Sequence, residues 1–377
     1  MFYIAAISLA FFLAFVLITK RDKTKADSLL AGWLVIIGTH LVFYHLDGTV
    51  DPYYYPYLLI GYPFPLFHGP MLYLYTASLT NQHSYLRRHW AWHFAPAISI
   101  YLVIVPFFLL PHNERLQVFA NQGKGYEWLF LLHKILVSVS GVAYVFLSLW
   151  LLRKHKQAVR DRFSQVEKIN LAWLRYLIYG VALVWLAVFY QNDQIIFSLV
   201  ALFVMLLGYF GIKQVGIFTQ SLQTETVNLE PKPPIEEKAT ASLELPKARY
   251  LKSTLSSEAQ QAIHQKLMQA MDEQKLFLNP ELTITELAST LTVHPNHLSQ
   301  VINSVESKTF YDFVNGKRIV EFKRIVALPE NQKYTLLALA FECGFNSKTA
   351  FYRNFKNETG QSPTLYLKEK HIQIQTS

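Results

Sequence analysis

The residues best suited to specific chemistry lie near the end of the chain, on one face of a predicted helix. A turn at Gly344 separates two short helices, and the second begins at Asn346 or Ser347, both good N-caps. Phe351 and Phe355 face inward at positions i and i+4, whereas the outward residues donate hydrogen bonds: Lys348, Thr349 and Arg353. A basic outer face of this kind fits a DNA major groove, although a solvated amphipathic helix has the same pattern.

A second copy of this pattern lies upstream. Residues 284–291 form a short helix led by a capping box of Thr283 and Glu286, and Pro295 stands at the first position of the next helix. That helix buries Leu298, Val301, Ile302 and Val305, and presents three candidate base-reading residues: Asn296, Ser299 and Gln300. One longer helix over 309–327, carrying the basic pairs at 317–318 and 323–324, connects the two copies.

Two helix-turn-helix units joined by a helix resemble the DNA-binding domain of AraC/XylS-type transcription regulators. The resemblance covers residues 256–368, and its most specific part is the pattern GF-x-S-x-x-x-F-x-R-x-FK-x-x-x-G-x-SP over 344–363. His294 departs from it, in place of a Ser cap, as does the Glu342-Cys343 pair before the glycine. The resemblance implies a bacterial regulator that binds double-stranded operator DNA through the six outward residues of its two second helices.

Composition indicates that the rest of the chain is a membrane protein. A hydrophobic share of 52% with only 16% charged residues is too apolar for two soluble domains. The net charge of +9 comes from the first part, which holds 17 Lys and Arg against 9 Asp and Glu up to Ser221. The basic balance is therefore no argument for DNA binding. The single cysteine, Cys343, excludes an intramolecular disulfide framework and a cysteine-cluster metal site, and we expect it to pack in the core.

Seven apolar segments have the length needed to cross a bilayer: 2–19, 28–45, 57–79, 91–110, 127–152, 171–190 and 195–213. The odd-numbered loops between them carry 12 Lys and Arg, and the even-numbered loops carry 2. Because cationic loops stay in the cytoplasm, we expect a bacterial inner-membrane protein with its N-terminus outside and its C-terminal domain cytoplasmic.

The predicted architecture is all-α, with four parts. Residues 1–221 form a seven-helix transmembrane module, 222–255 a flexible Pro-containing linker, 256–370 the AraC-type domain and 371–377 a tail. No cleavage signal is readable in the linker. We therefore favour a domain that acts while tethered over one released by proteolysis.

Four polar residues inside the predicted spans are candidates for an intramembrane ligand site: His40, His68, His133 and Lys134. Lys134 lies about 10 Å from the outer face at 1.5 Å per residue, so its amine can also reach the surface. The i, i+4 spacing of His89 and His93 is compatible with a metal, but the neighbouring Trp90 and Trp92 favour an interfacial turn. No catalytic, nucleotide-binding or cofactor motif stands out, so we predict neither an enzyme nor a bound metal or cofactor.

These features predict a one-component regulator whose membrane module senses a small ligand or a membrane partner. Two alternatives stay open. The helices are a passive anchor, or they form a transporter that carries its own regulatory domain. The sequence also leaves open a homodimer, the identity of the cue and the sign of the transcriptional output.

Overall fold

The described chain is all-helical, as predicted. The computed structural model describes residues 1–80, 90–166, 171–190, 192–213 and 255–375, and within these ranges it contains helices and no β-strand, apart from two isolated bridges. The chain divides into two compact units. Among the described residues, the first unit contains 1–153 and 171–213, and the second contains 154–166 and 255–375. Most of the predicted linker, and His89, lie outside the described residues.

The first unit is built from apolar helices. They are α1 (Phe2–Thr19), α2 (Lys25–Asp47), α3 (Tyr55–Leu58), α4 (Pro65–Leu79), α5 (Ala95–Leu109), α6 (His112–Ala120), α7 (Glu127–Arg160), α8 (Ala172–Phe189) and α9 (Asp193–Lys213). The end of α7, from Lys154 onward, belongs to the second compact unit. Five helical stretches are long and apolar enough to cross a membrane: Phe2–Thr19, Lys25–Asp47, Trp90–Leu109, Glu127–Arg160 and Ala172–Phe189. Asp193–Tyr209 is a shorter apolar helix.

The third predicted span differs from the sequence-based expectation, because no single helix covers 57–79. α3 ends at Leu58, a 3₁₀ turn follows over Leu59–Gly61, and α4 begins only at Pro65. Pro63 and Pro65 have no backbone N–H to donate, and Pro65 occupies the first position of α4, where that donor is not needed. α4 is 15 residues long, so seven complete spans remain a prediction.

α1 shows the distribution of side chains expected of a lipid-facing helix. Its inward positions include small residues such as Ala6, Ala10 and Ala14, which are fully buried. Its outward positions are large and apolar, with Phe12 and Phe15 exposed to about 60%. Small residues let helix backbones approach closely in a bilayer, whereas exposed phenylalanines are unfavourable in water. The pattern therefore favours a lipid environment around this unit.

The second unit contains the predicted double helix-turn-helix arrangement. Its helices are α10 (Ser257–Glu273), α11 (Ile284–Thr290), α12 (Pro295–Val305), α13 (Phe310–Val326), α14 (Leu336–Glu342), α15 (Lys348–Thr359) and α16 (Pro363–Glu369). α13 connects the two helix-turn-helix units and contributes to the hydrophobic core of each. Phe310, Phe313 and Val314 lie in the core of the first helix-turn-helix unit, and Ile319, Phe322 and Val326 lie in that of the second. One predicted core position is wrong, because Val305 at the end of α12 is exposed.

A charged cluster ties α13 to the end of α10. Glu321 Oε1 accepts hydrogen bonds from Arg324 Nη2 at 2.7 Å and from Lys275 Nζ at 2.8 Å. The Arg324 guanidinium, and then the Lys275 ammonium, lower the pKa of Glu321 to about 2. The carboxylate therefore stays charged in the folded domain at pH values where it is protonated in the unfolded chain.

Acid is expected to weaken this cluster. Because the pKa of Glu321 is lower in the folded than in the unfolded chain, where it is about 4.3, its contribution to stability is complete above that value and is lost as the pH falls toward about 2. Glu321→Gln should therefore reduce the pH dependence of thermal stability between about pH 5 and pH 3. Scanning calorimetry of the full chain in lipid nanodiscs measures this, with the exposed Glu330→Gln as control. Parallel profiles for Glu321→Gln and the wild type would contradict the prediction.

Candidate functional site

Both helix-turn-helix units make the same turn. In the second, Gly344 has a φ of +91°, its N–H donates to Phe341 O, and Phe345 N donates to Ala340 O. In the first, Thr292 has a φ of +56°, its N–H donates to Ser289 O, and Val293 N donates to Ala288 O. These paired bonds, spanning three and five residues, define a Schellman motif at the end of each first helix. The turns of the two units are thus equivalent, although only one contains glycine.

The second helix of each unit begins at a side-chain cap. His294 Nδ1 accepts a hydrogen bond from Asn296 N at 3.2 Å, so the histidine performs the role of the more usual serine. Pro295 follows at the first helical position, as predicted. In the second unit, Ser347 Oγ accepts from Ala350 N at 3.4 Å. Each cap fixes the direction in which its helix leaves the turn.

The six candidate DNA-reading residues lie away from the buried side of these helices. α12 buries Leu298, Val301 and Ile302, and α15 buries Phe351 and Phe355. The outward residues are exposed in the case of Asn296, Lys348, Thr349 and Arg353, and half-buried in the case of Ser299 and Gln300. The arrangement presents amide, hydroxyl and cationic donors on two separate recognition helices.

Arg353 has a partner within the domain. Its Nη2 donates to the hydroxyl of Tyr311 at 2.5 Å, and its guanidinium lies 5.7 Å from the centre of the Tyr311 ring. The neighbouring Asn354 Nδ2 donates to the same hydroxyl at 2.6 Å. Tyr311 is buried near the start of α13, so this one phenol connects the second recognition helix to the connecting helix.

Three of the four basic residues in the α13 pairs form hydrogen bonds or ion pairs within the domain. Arg318 is almost fully buried, and its guanidinium donates to Phe277 O and Asn279 O, both at 2.7 Å. Lys317 pairs with Asp272, and Arg324 pairs with Glu321. Much of the positive charge in this helix is therefore used inside the domain rather than on a DNA-facing surface.

Cys343 is fully buried at the end of α14, as expected of a core residue. Burial is the main cause that raises the pKa of its thiol, to about 12. The thiolate is the reactive form of cysteine, so this side chain is inert near neutral pH.

All four predicted intramembrane residues line one cavity of the first unit. The cavity has a volume of about 810 Å³, and its walls are mostly aromatic and aliphatic side chains from α2, α4, α7, α8 and α9. His40, His68 and His133 contribute imidazoles, and Lys134 contributes an ammonium. Residues separated by almost a hundred positions in the chain are thus brought to one place.

Hydrogen bonds define the orientation of two of these imidazoles. Trp33 Nε1 donates to His68 Nδ1 at 3.3 Å, and His68 Nε2 lies 3.0 Å from His40 Nδ1. In the neutral rings, His68 therefore carries its proton on Nε2 and donates to His40, whose own proton is on Nε2. The ring of His133 stacks on Tyr62, and its buried Nε2 has no hydrogen-bond partner within the described parts of the chain. That nitrogen is available to a ligand.

Several of these contacts were missed by sequence reasoning. The sequence pattern places Arg318 with Lys317 in a basic pair, and residues 154–166 in a loop between two predicted spans. One sequence signal indicates that Arg318 lies on the buried face of its helix: residues 311, 315, 318 and 322 follow helical spacing, and Phe322 is apolar. The charge of Arg318 argued against a buried position, and no local pattern reveals its carbonyl acceptors.

The fold and the paired turns define a double helix-turn-helix domain. Residues 287–369 match the family model described as "Helix-turn-helix domain", and the C-terminal region is accordingly a helix-turn-helix DNA-binding domain of the AraC type. Over 131 residues the chain is 26% identical to an uncharacterized HTH-type transcriptional regulator of Staphylococcus aureus (strain COL). The match covers 35% of this chain and spans only 17% of that relative's length. No solved structure gives a significant match.

Proposed function

We propose that the chain is a membrane-anchored one-component transcription regulator that senses a cue through its apolar helices and binds operator DNA through α12 and α15. One observation carries the proposal. Residues 154–166 lie in the same compact unit as the helix-turn-helix domain, and they belong to the predicted loop with six Lys and Arg. Cationic loops stay cytoplasmic, and DNA is on that side too.

The localisation follows from this arrangement. We place the chain in a bacterial inner membrane, with residue 1 outside and the DNA-binding domain in the cytoplasm. A tag after Asn121 is then accessible from outside intact cells, whereas a tag after Gln165 or at the C-terminus is not. External labelling at the C-terminus would refute this topology.

Mapping the genomic sites bound by the chain in its native cell tests the DNA-binding function. We expect discrete sites whose sequence repeats two short elements on one face of the duplex, one for each recognition helix. Exchange of residues 1–153 for an unrelated anchor distinguishes a sensor from a passive anchor by its effect on target transcripts. Substrate flux in vesicles would instead support a transporter. No enzymatic activity is proposed.

In the DNA complex, the outward residues of each recognition helix read base edges. The amides of Asn296 and Gln300 suit adenine, and the guanidinium of Arg353 suits guanine or a phosphate. Ser299, Lys348 and Thr349 complete the two surfaces. The bond between Arg353 Nη2 and the Tyr311 hydroxyl restrains the directions in which the guanidinium can reach a base.

Arg353→Ala is expected to weaken specific binding by roughly 1–3 kcal/mol. Fluorescence anisotropy with the full chain in nanodiscs and a duplex from the most enriched genomic site measures the change. Loss of discrimination at one base pair marks a base contact, whereas uniform weakening with a shallower salt dependence marks a phosphate contact. Lys356→Ala, an exposed cation on the same helix, is the control. Wild-type affinity in Arg353→Ala would show that this residue does not contact DNA.

The cavity of the first unit is the proposed sensory site. Its apolar walls and the unpaired His133 Nε2 suit a small amphipathic molecule that donates a hydrogen bond. Lys134 and Asp193 also line it and are exposed, so a polar group of the ligand has charged partners of both signs.

Filling the cavity is expected to abolish signalling without removing DNA binding. Val137 lines the cavity and is buried, whereas Val139, two residues along α7, is exposed and does not line it. Val137→Phe should keep target transcripts constant across growth conditions that change them in the wild type, and Val139→Phe should not. Occupancy of the mapped genomic sites confirms that each variant still binds DNA. A normal response in Val137→Phe would exclude the cavity as the sensory site.

A further inference from the structure

Residues 159–166, here called the docking segment, bind the first helix-turn-helix unit through their backbone. Phe163 and Thr283 face each other in an isolated antiparallel bridge. Ile284 N donates to Arg162 O at 3.0 Å, and Ser164 N donates to Leu282 O at 3.3 Å. The docking segment therefore pairs with the backbone just before α11, where the first helix-turn-helix unit begins.

The same segment binds the connecting helix α13 through side chains. Asn315 Nδ2 donates to Ser164 O at 2.9 Å, and Arg318 Nη2 donates to Ser164 Oγ at 3.3 Å. Arg160 pairs with Asp312 at 2.5 Å. The docking segment thus fixes the start of α11 relative to α13.

The contact reaches the second recognition helix through Tyr311. Val159, Phe163 and Val166 pack with this ring, and the Arg160 guanidinium lies 5.3 Å from its centre. The Tyr311 hydroxyl is the acceptor for Arg353, the candidate base-reading residue. The docking segment therefore packs on the same ring whose hydroxyl accepts the bond from Arg353.

The docking segment is also covalently continuous with the apolar helices. α7 runs without interruption from Glu127 to Arg160, so its last turn contributes Val159 and Arg160 to the contact. The same helix contributes His133, Lys134 and Val137 to the cavity wall.

We propose that the docking segment is an autoinhibitory contact that holds the DNA-binding domain in a low-affinity state. Docking keeps Arg353 on Tyr311 and fixes the start of the first unit against α13, and displacement of α7 releases both constraints. The proposal rests on the function proposed above and adds the element that transmits the signal, together with the sign of its effect on DNA affinity.

A disulfide can hold the segment in its docked position. Phe163 and Thr283 form a pair flanked, rather than joined, by hydrogen bonds, and in such pairs the Cα atoms lie about 4.5 Å apart, within the range of a disulfide. In Phe163→Cys/Thr283→Cys, the buried Cys343 does not compete for oxidation. The reduced form of the same protein is the control for loss of the Thr283 cap.

We expect the oxidised double variant in nanodiscs to bind the enriched genomic duplex about fivefold or more weakly than its reduced form. Equal or tighter binding after oxidation would overturn the autoinhibitory role while leaving the DNA-binding function intact. Wild-type protein that binds none of the genomic duplexes would overturn the proposed function itself, and this inference with it.

A second pair of variants tests release of the segment without a disulfide. Arg160→Ala removes the Asp312 ion pair and the contact with Tyr311, so it should raise DNA affinity. Lys156→Ala removes one charge from an exposed position of the same helix and should not. Affinities that fall equally in both variants would mean that Arg160 acts only as a cation near DNA, and would refute autoinhibition.

Discussion

Gly344→Ala is expected to unfold the second helix-turn-helix unit. The residue has a φ of +91°, and an added Cβ would lie 2.7 Å from Phe277 O and 2.8 Å from Leu278 O. Both neighbours are backbone atoms, and Phe277 O is also the acceptor for the buried Arg318. The strained φ and these overlaps together should cost roughly 3–5 kcal/mol.

Gly360→Ala is a matched control for this effect. Gly360 also has a positive φ, of +78°, at the end of α15, but nothing lies within 4 Å of an added Cβ. Only the left-handed conformation is penalised there, at about 1–2 kcal/mol. Hydrogen exchange of amides in 336–359, measured by mass spectrometry on the full chain, compares the two. Equal exchange in both variants would mean that the close approach at Gly344 has no energetic consequence.

Arg318→Ala is expected to separate the first helix-turn-helix unit from the connecting helix α13. The guanidinium satisfies the carbonyls of Phe277 and Asn279 and contacts the docking segment at Ser164. Its removal leaves buried acceptors unpaired and opens a cavity, which together should cost roughly 3–5 kcal/mol. The increase in hydrogen exchange should extend over 276–290 as well as α13.

Arg324→Ala provides the comparison on the same helix. Its side chain is 55% exposed and forms an ion pair with Glu321, three residues away. Both variants lose one positive charge, so a difference between them reflects burial and acceptors rather than charge. If amide hydrogen exchange were equally fast in the two variants, Arg318 would not be the residue that holds the first helix-turn-helix unit to α13.

Local sequence signals predicted the second unit well because its turn is encoded by residue type. Glycine adopts a positive φ without strain, so Gly344 marked the turn, and Ser347 marked the helix that follows. The first helix-turn-helix unit makes the same turn at Thr292, whose positive φ no residue preference predicts. There the surrounding packing, including the half-buried Val293, decides the backbone conformation.

The membrane part shows a similar division. Apolar length predicted most of the long helices because a bilayer requires about 20 apolar residues. Length alone did not reveal the break before Pro65, nor that α7 continues to Arg160, eight residues beyond the predicted end of its span. Most of those eight residues are charged or polar, and from Lys154 onward they belong to the second compact unit.

The all-α class, the apolar first part and the AraC-type helix-turn-helix domain are predictable from residue patterns, because helical periodicity, caps and glycine turns act over a few residues. Three features emerge only in the folded chain: Arg318 is buried, three histidines and Lys134 line one cavity, and Ser164 contacts a residue 154 positions further along the chain. Such contacts depend on where distant backbones come together. Sequence periodicity does not indicate which carbonyl accepts a hydrogen bond or which residue forms a bridge. These partners are therefore known only from the folded structure.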